Sequence, residues 1–202
     1  GPQVFKGYKS NIDNAYAWVE DGWFNTGDIG YMDGEGFLYL SGRAKDLIIR
    51  SGHNIDPELI EEALNAHSNV VISIAIGLPD PYAGELPMAY VVKVAHSNVT
   101  EQELINHCAS VMSERAAIPK RIEFIDAMPL TAVGKIFRPT LRQNIAEQVI
   151  CELLAEKSMD GTVTSEIEKK RGLVLRIDVT DKAKIGEVKK LVEGYIFTSE
   201  VI

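Results

Sequence analysis

Between residues 48 and 125 the chain alternates strand-type and helix-type segments, and two strong helix starts fix where one gives way to the other. The first is Asp56-Pro57. Asp56 can cap the amides of a first helical turn, and Pro57 suits the first helical position, where no amide proton is needed. Leu59, Ile60, Ala63 and Leu64 then form one apolar face, with Glu58, Glu61 and Glu62 outside. The second is Thr100-Glu101-Gln102-Glu103, a capping box in which Glu103 reaches back to Thr100. Leu104, Ile105, Cys108, Val111 and Met112 follow at helical spacing. Around these helices lie "DLIIRSGHNI", an extended piece with a turn near Ser51-Gly52, and "NVVISIAIGLPD", a β-rich run ending in a Gly/Pro/Asp turn. "ELPMAYVVKVA" and "RIEFIDAMP" supply two more strands. The order predicts an α+β fold, a hairpin and about three strands with helices against them.

The flanks carry patterns of their own. Residues 1–45 are rich in glycine and aromatics, and "MDGEGFLYLSGR" predicts a hairpin turning at Asp33-Gly34 and Glu35-Gly36. "RPTLRQNIAEQVICELLAEK" predicts a long helix from about Pro139. After a break in composition near Met159-Asp160-Gly161, two strands around Arg171-Gly172, a helix and a short strand give a β-β-α-β tail.

Composition narrows the function. The 202 residues are 46% hydrophobic and 25% charged, as in globular chains. A formal net charge of −8 repels phosphate backbones and argues against general nucleic-acid binding. No apolar run nears the roughly 18 residues of a transmembrane segment, and the first ten residues have no apolar signal core. Two cysteines are too few for a disulfide framework. A reduced cytoplasmic setting is therefore expected. Cys108 and Cys151 both read as core thiols. His53, His67, His96 and His107 have no metal-ligand spacing, so no metal site is expected in this chain. The opening Gly-Pro, without methionine, reads as the C-terminal part of something longer.

Four polar features stand out in order. Asp28 lies in a Thr-Gly-Asp turn behind Trp23 and Phe24, and a carboxylate at a loop tip can accept from two vicinal hydroxyls. Arg43 and Asp46 sit at the junction between the aromatic-rich start and the helical body. Gly52 marks a turn. Lys135 follows Gly134 in "PLTAVGKIFR", with no phosphate-loop pattern around it. Taken singly, each is an ordinary turn or surface residue.

Taken as an ordered series, "TGD" at 26–28, "GRAKDLIIRSGHNI" at 42–55 and "PLTAVGKIFR" at 129–138 resemble the C-terminal part of the acyl-adenylate-forming superfamily. That superfamily holds acyl-CoA synthetases, peptide-synthetase adenylation domains and luciferases. The segment from Gly22 to Leu64 is most similar to the acyl-CoA synthetase branch. The resemblance covers about residues 1–145.

The resemblance implies a two-step reaction. ATP activates a carboxylic acid, a fatty acid first among candidates, to an acyl-adenylate; the coenzyme A thiol then displaces AMP. Asp28 and Arg43 would bind the nucleotide ribose, Asp46 would be a hinge, and Lys135 would enter the active site during adenylation. There it would meet the acid's carboxylate and the α-phosphate, and Gly134 would let the backbone come close. Gly52 and His53 would lie on the coenzyme A path, with Gly52 leaving room for the thiol. Asn54 stands where some relatives carry arginine, so no phosphate contact is expected from it. Magnesium (Mg2+) is implied with ATP, with its ligands outside this chain. The phosphate loop and acyl pocket are expected in a large N-terminal domain, so the chain alone is expected to be inactive. Residues 1–45 would be the β-rich end of that domain, 46–145 a mobile lid and 146–202 a small α/β extension for packing or interaction. The setting of Lys135 also resembles sites acetylated in bacterial acyl-CoA synthetases. Two other readings are an adenylation domain that passes its acyl group to a carrier protein, and an interaction module without chemistry.

Overall fold

Ser51 and Gly52 both have positive φ, 50° and 82°, the conformation of a two-residue hairpin loop that matches strand twist. They join β5 (Ile48–Arg50) to β6 (His53–Ile55), with Arg50 paired to His53. In the computed structural model, which describes residues 2–19 and 22–202 with the side chains of Ile12 and Asp13 excepted, this hairpin belongs to a larger sheet. Arg50 pairs with Gly84, which joins the hairpin to β8 (Gly84–Lys93). β8 pairs antiparallel along its length with β7 (Val70–Asp80) and parallel with β9 (Arg121–Phe124). The expected hairpin and three strands are thus one five-stranded sheet.

The chain divides into two compact units, Gly1–Asp46 and Leu47–Ile202. The first holds α1 (Asn11–Ala17), a short ladder of β1 (Trp18–Val19) with β2 (Trp23–Phe24), and the hairpin of β3 (Asp28–Met32) with β4 (Leu38–Arg43). Phe5, Tyr8, Trp18 and Phe24 form an aromatic cluster there, with ring centroids 4.8–5.9 Å apart. The predicted turn is held by Asp33, whose Oδ1 accepts from the amides of Glu35 and Phe37. The amide of Phe37, foremost, holds the Asp33 carboxyl below its ordinary range.

In the second unit α2 (Pro57–Asn65) and α3 (Glu101–Val111) start as the sequence predicts. Asp56 accepts from the Glu58 amide, and both arms of the Thr100 capping box are made. Ile60, Ala63, Leu64, Leu104 and Cys108 pack against Ile48, Ile55, Ala75, Ala89, Val91 and Ile122 in one core. Leu59 departs from the expected face and is exposed, while Glu61 turns inward and its side chain is only 14% accessible. The reason is the edge of β7. Glu61 Oε1 accepts from the Ala75 amide at 2.9 Å and Asn65 Oδ1 from the Ser73 amide at 2.8 Å. Side chains of α2 thus occupy hydrogen-bonding groups that an edge strand would otherwise present. β7 also runs through Gly77-Leu78-Pro79-Asp80, where the sequence predicts a turn; the turn is Pro81–Ala83.

The long helix α4 (Arg138–Glu156) serves two cores. Leu141 and Ile145 pack with Ile74, Ile76, Met88 and Tyr90 of the five-stranded sheet. Ala146, Ile150 and Leu154 pack with the tail, whose three-stranded sheet has the order β10 (Gly161–Glu168), β11 (Gly172–Val179), β12 (Thr198–Val201). The helix α5 (Ile185–Val192) contributes Val188 and Val192 to the same core, completing the predicted β-β-α-β order. Cys108 is buried as expected. Cys151 is exposed instead, because α4 turns its neighbour Ile150, not Cys151, into the core.

Candidate functional site

The β3–β4 hairpin sets the first pair of candidate residues. Tyr31 faces Tyr39 and Gly30 faces Leu40, but Ile29 faces Gly42 and Asp28 faces Arg43. Ser41 is the extra residue of a β-bulge. The one-residue shift places Asp28 directly opposite Arg43, and Arg43 Nε lies 3.1 Å from Asp28 Oδ1. The Thr-Gly-Asp turn is shaped by its own side chains: Asn25 Oδ1 accepts from the Gly27 amide and Thr26 Oγ1 from the Asp28 amide. Gly27 itself has φ of 74°. The structure therefore brings Asp28 and Arg43 together as an accessible pair of opposite charge. Asp46 ends the short 3-10 turn Ala44–Asp46 at the border of the two units.

In the second unit, Gly52 has open space where a Cβ would stand, and its φ of 82° is what calls for glycine locally. His53 Nε2 lies 2.7 Å from Glu114 Oε1, and Arg50 donates to the Ala116 carbonyl at 2.9 Å. The hairpin is therefore anchored to the segment after α3. A groove of about 350 Å³ opens nearby between α2 and the end of α3, lined by Leu59, Val111, Met112 and Glu114 among others. None of the candidates Asp28, Arg43, Asp46, Gly52, His53 and Lys135 lines it, although Glu114 bonds His53.

Lys135 sits on a small closed loop. The Thr131 amide donates to the Lys135 carbonyl at 2.7 Å, the Gly134 amide to Thr131 O at 2.9 Å, and the Lys135 amide to Thr131 Oγ1 at 3.1 Å. Leu130 and Ile136 form an antiparallel bridge, and the Phe137 amide reaches Pro129 O at 2.8 Å. Gly134 has a φ of 77°, which calls for glycine locally, and nothing in the chain lies within 4 Å of its Cβ position. Lys135 is exposed, and among the described residues its ammonium has no acidic partner. The Ser51 amide donates to the Ala83 carbonyl beside the start of β8, whereas the segment leading to Lys135 leaves the end of β9, where the Ile125 amide donates to the Val91 carbonyl.

Sequence reading did not single out Glu61. Arg138 Nη2 reaches both of its carboxylate oxygens, at 2.8 and 3.1 Å. Burial raises the Glu61 pKa, against the opposing pull of Arg138. Arg138 closes the quoted "GKIFR" string, so the string itself was a signal for it. Among the described residues no group of three or more His, Cys, Asp or Glu side chains could hold a metal ion, and no helix is long and apolar enough to cross a membrane.

Residues 59–135 match the family of AMP-binding enzyme C-terminal domains. The chain is 45% identical over 168 residues to the marinolic acid–CoA ligase of Pseudoalteromonas sp. (strain SANK 73390), covering 83% of this chain and 25% of that protein. It is 42% identical over 147 residues to a long-chain-fatty-acid–CoA ligase of Bacillus subtilis (strain 168), covering 73% of this chain and 26% of the relative. The chain thus spans about a quarter of the length of these relatives. Among solved structures, ATP-bound MatB from Rhodopseudomonas palustris superimposes with a TM-score of 0.67 at 33% identity, over 71% of this chain and 29% of that one. The o-succinylbenzoate CoA synthetase of Bacillus subtilis, in complex with its acyl-adenylate intermediate, gives 0.64 at 36% identity, over 70% and 29%.

Proposed function

The chain belongs to the acyl-adenylate-forming, AMP-binding enzymes and carries their C-terminal domain, and from that premise we propose that it is the mobile lid portion of an acyl-CoA synthetase. The observation that carries this reading is the exposed ammonium of Lys135 on a loop closed by its own hydrogen bonds. A charge held out in this way is available to an anionic reacting centre outside the chain's own fold.

In the first half-reaction a carboxylate oxygen of the acid attacks the α-phosphorus of ATP, and pyrophosphate leaves. Negative charge builds on the α-phosphate oxygens. Lys135 stabilises it as a compact point charge, and such a donor in a water-poor site contributes about 3–4 kcal/mol to the transition state. Asp28 and Arg43 bind the ribose, the carboxylate accepting from the hydroxyls while Arg43 fixes its orientation. Mg2+ would accompany ATP, held by ligands outside this chain. In the second half-reaction the coenzyme A thiol attacks the acyl carbonyl and AMP leaves. The Ser51–Gly52 hairpin with His53 borders that path, and Asp46 is the pivot that exchanges the Lys135 loop for this hairpin at the reacting centre. The names of the relatives support a carboxylic acid substrate and coenzyme A, with a fatty acid as the first candidate. The reading places the enzyme in the cytoplasm and makes exposed Lys135 a target for acetylation, which would remove its charge. Residues 1–45 belong to the large domain, 46–145 to the lid and 146–202 to an extension of it, and the 202 residues alone have no ligase turnover.

The test compares wild type with Lys135→Ala in the complete enzyme. Two activities are measured: ATP–pyrophosphate exchange, and thioester formation from presynthesised acyl-adenylate. The expected result is loss of exchange by roughly two to three orders of magnitude with thioester formation kept. Exchange that survives the substitution refutes the role of Lys135 and favours an interaction module. A carrier protein accepted in place of coenzyme A would move the chain to the carrier-loading branch.

A further inference from the structure

We propose that Glu61 and Arg138 form a clamp that positions Lys135 for adenylation, a role that rests on the reading of Lys135 above. The loop's hydrogen bonds fix its shape but not its place on the body. Two contacts in particular tie it to the body. One is apolar, with Met128 and Ile136 against the core of Ile74, Met88 and Ile145. The other is ionic. Arg138, three residues beyond Lys135, reaches both oxygens of Glu61, at 2.8 and 3.1 Å. Glu61 in turn accepts from the Ala75 amide at 2.9 Å. Three elements meet at this carboxylate: α2, the edge of β7 and the first turn of α4. Both side chains are largely withdrawn from water, at 14% for Glu61 and 21% for Arg138.

Helix stability does not account for Arg138. A cation in the first turn opposes the helix dipole, and α4 has no capping side chain on Phe137 to fix where it begins. The pair with Glu61 supplies that fixed point. Its directional bonds set the junction between loop and helix, and with it the distance Lys135 can reach. Displacement of a reacting group by about 1 Å costs about 100-fold in rate, so a clamp three residues away along the chain is enough to control the lysine.

The experiment uses the complete enzyme. Glu61→Gln keeps an acceptor for Ala75 while removing the charge, and Arg138→Lys keeps the charge while removing the planar donor. Each is made alone and together with Lys135→Ala, and thermal unfolding is recorded for all. The expected result is a fall of about 10- to 100-fold in kcat for pyrophosphate exchange, with KM for ATP unchanged. Thioester formation from presynthesised acyl-adenylate should stay within about twofold, as for a group acting only in the first step. In the Lys135→Ala background the same substitutions should lower the residual exchange no further. Additive losses in that background, or equal losses in both half-reactions, overturn the clamp and assign the pair to general stability. Wild-type exchange in both single variants overturns it as well. Wild-type exchange in Lys135→Ala alone instead removes the reading on which the clamp rests.

Discussion

Replacing Gly30 by alanine tests whether the close backbone approach of β3 to β4 beside the bulge holds the hairpin together. A Cβ at position 30 would lie 2.5 Å from the Tyr39 carbonyl oxygen and 3.4 Å from its carbon. Real Cβ contacts do not fall below 3.0 Å, so the strands must part by about half an ångström. The obstacle is backbone, and no side-chain rotation relieves it. Overpacking of this kind costs about 1–3 kcal/mol, set against about 0.5–1 kcal/mol gained by removing glycine from a strand. The expected net loss is about 1–2 kcal/mol. The assay follows from composition: the chain has two tryptophans, Trp18 and Trp23, both in the first unit. Tryptophan fluorescence in urea therefore reads that unit, while far-UV circular dichroism is dominated by the second. With a urea slope of about 1 kcal/mol/M, the fluorescence midpoint should fall by about 1 M or more while the dichroism midpoint stays. Gly34→Ala in the same hairpin is the control, because nothing lies within 4 Å of its Cβ position. Coincident fluorescence curves for Gly30→Ala and wild type would refute the reasoning.

Three further outcomes are expected. Truncation after Lys157 should expose Ala146, Ile150 and Leu154, now 0–3% accessible, and cause self-association on size-exclusion chromatography; a monomeric product would show that the tail core is dispensable. The Cys108 thiol is pushed up to about 11 by burial and Cys151 is exposed, so a disulfide reagent should titrate one thiol in the native chain and the second only after denaturation. Burial raises the Glu61 pKa above its ordinary 4.5, so between 4.5 and the native value the folded chain binds the extra proton. That contribution to stability is complete below 4.5 and is lost as pH rises through the native pKa, and Glu61→Gln should flatten this part of a urea-midpoint profile. Glu152 has the opposite sign. Hydrogen bonds from Arg121, foremost, lower its pKa, so its contribution is present above 4.5 and disappears as pH falls through the lowered value.

What the sequence showed plainly was local chemistry. Asp56-Pro57, the Thr100 box, the Ser51-Gly52 turn and the tail order each depend on neighbours a few residues apart. The misses depend on partners far along the chain. Periodicity places Glu61 outside because it cannot see Arg138 or the open edge of β7. Pro79 and Gly77 read as a turn, yet full pairing with β8 keeps them in the strand. The bulge at Ser41 left no local signature, although it decides which residue faces Arg43. Helix α1 was unforeseen, and its Ser10 makes no capping bond. For the candidate site, the residue types and their order were legible. The pairing of Asp28 with Arg43 and of His53 with Glu114 was not, because each is set by folding.

Helix α4 has a mechanical consequence. Nineteen residues at about 1.5 Å each make a rod about 28 Å long, rooted in the five-stranded sheet by Leu141 and Ile145 and embedded in the tail by Ile150 and Leu154. A rod gripped at both ends transmits angle without slack. A tilt of about 10° at its root carries the far end sideways by about 5 Å. On the proposed reading of this body as a lid, the tail would serve as a pointer: its sheet would magnify small rotations at the root of α4, and a spectroscopic label placed there would read the stroke.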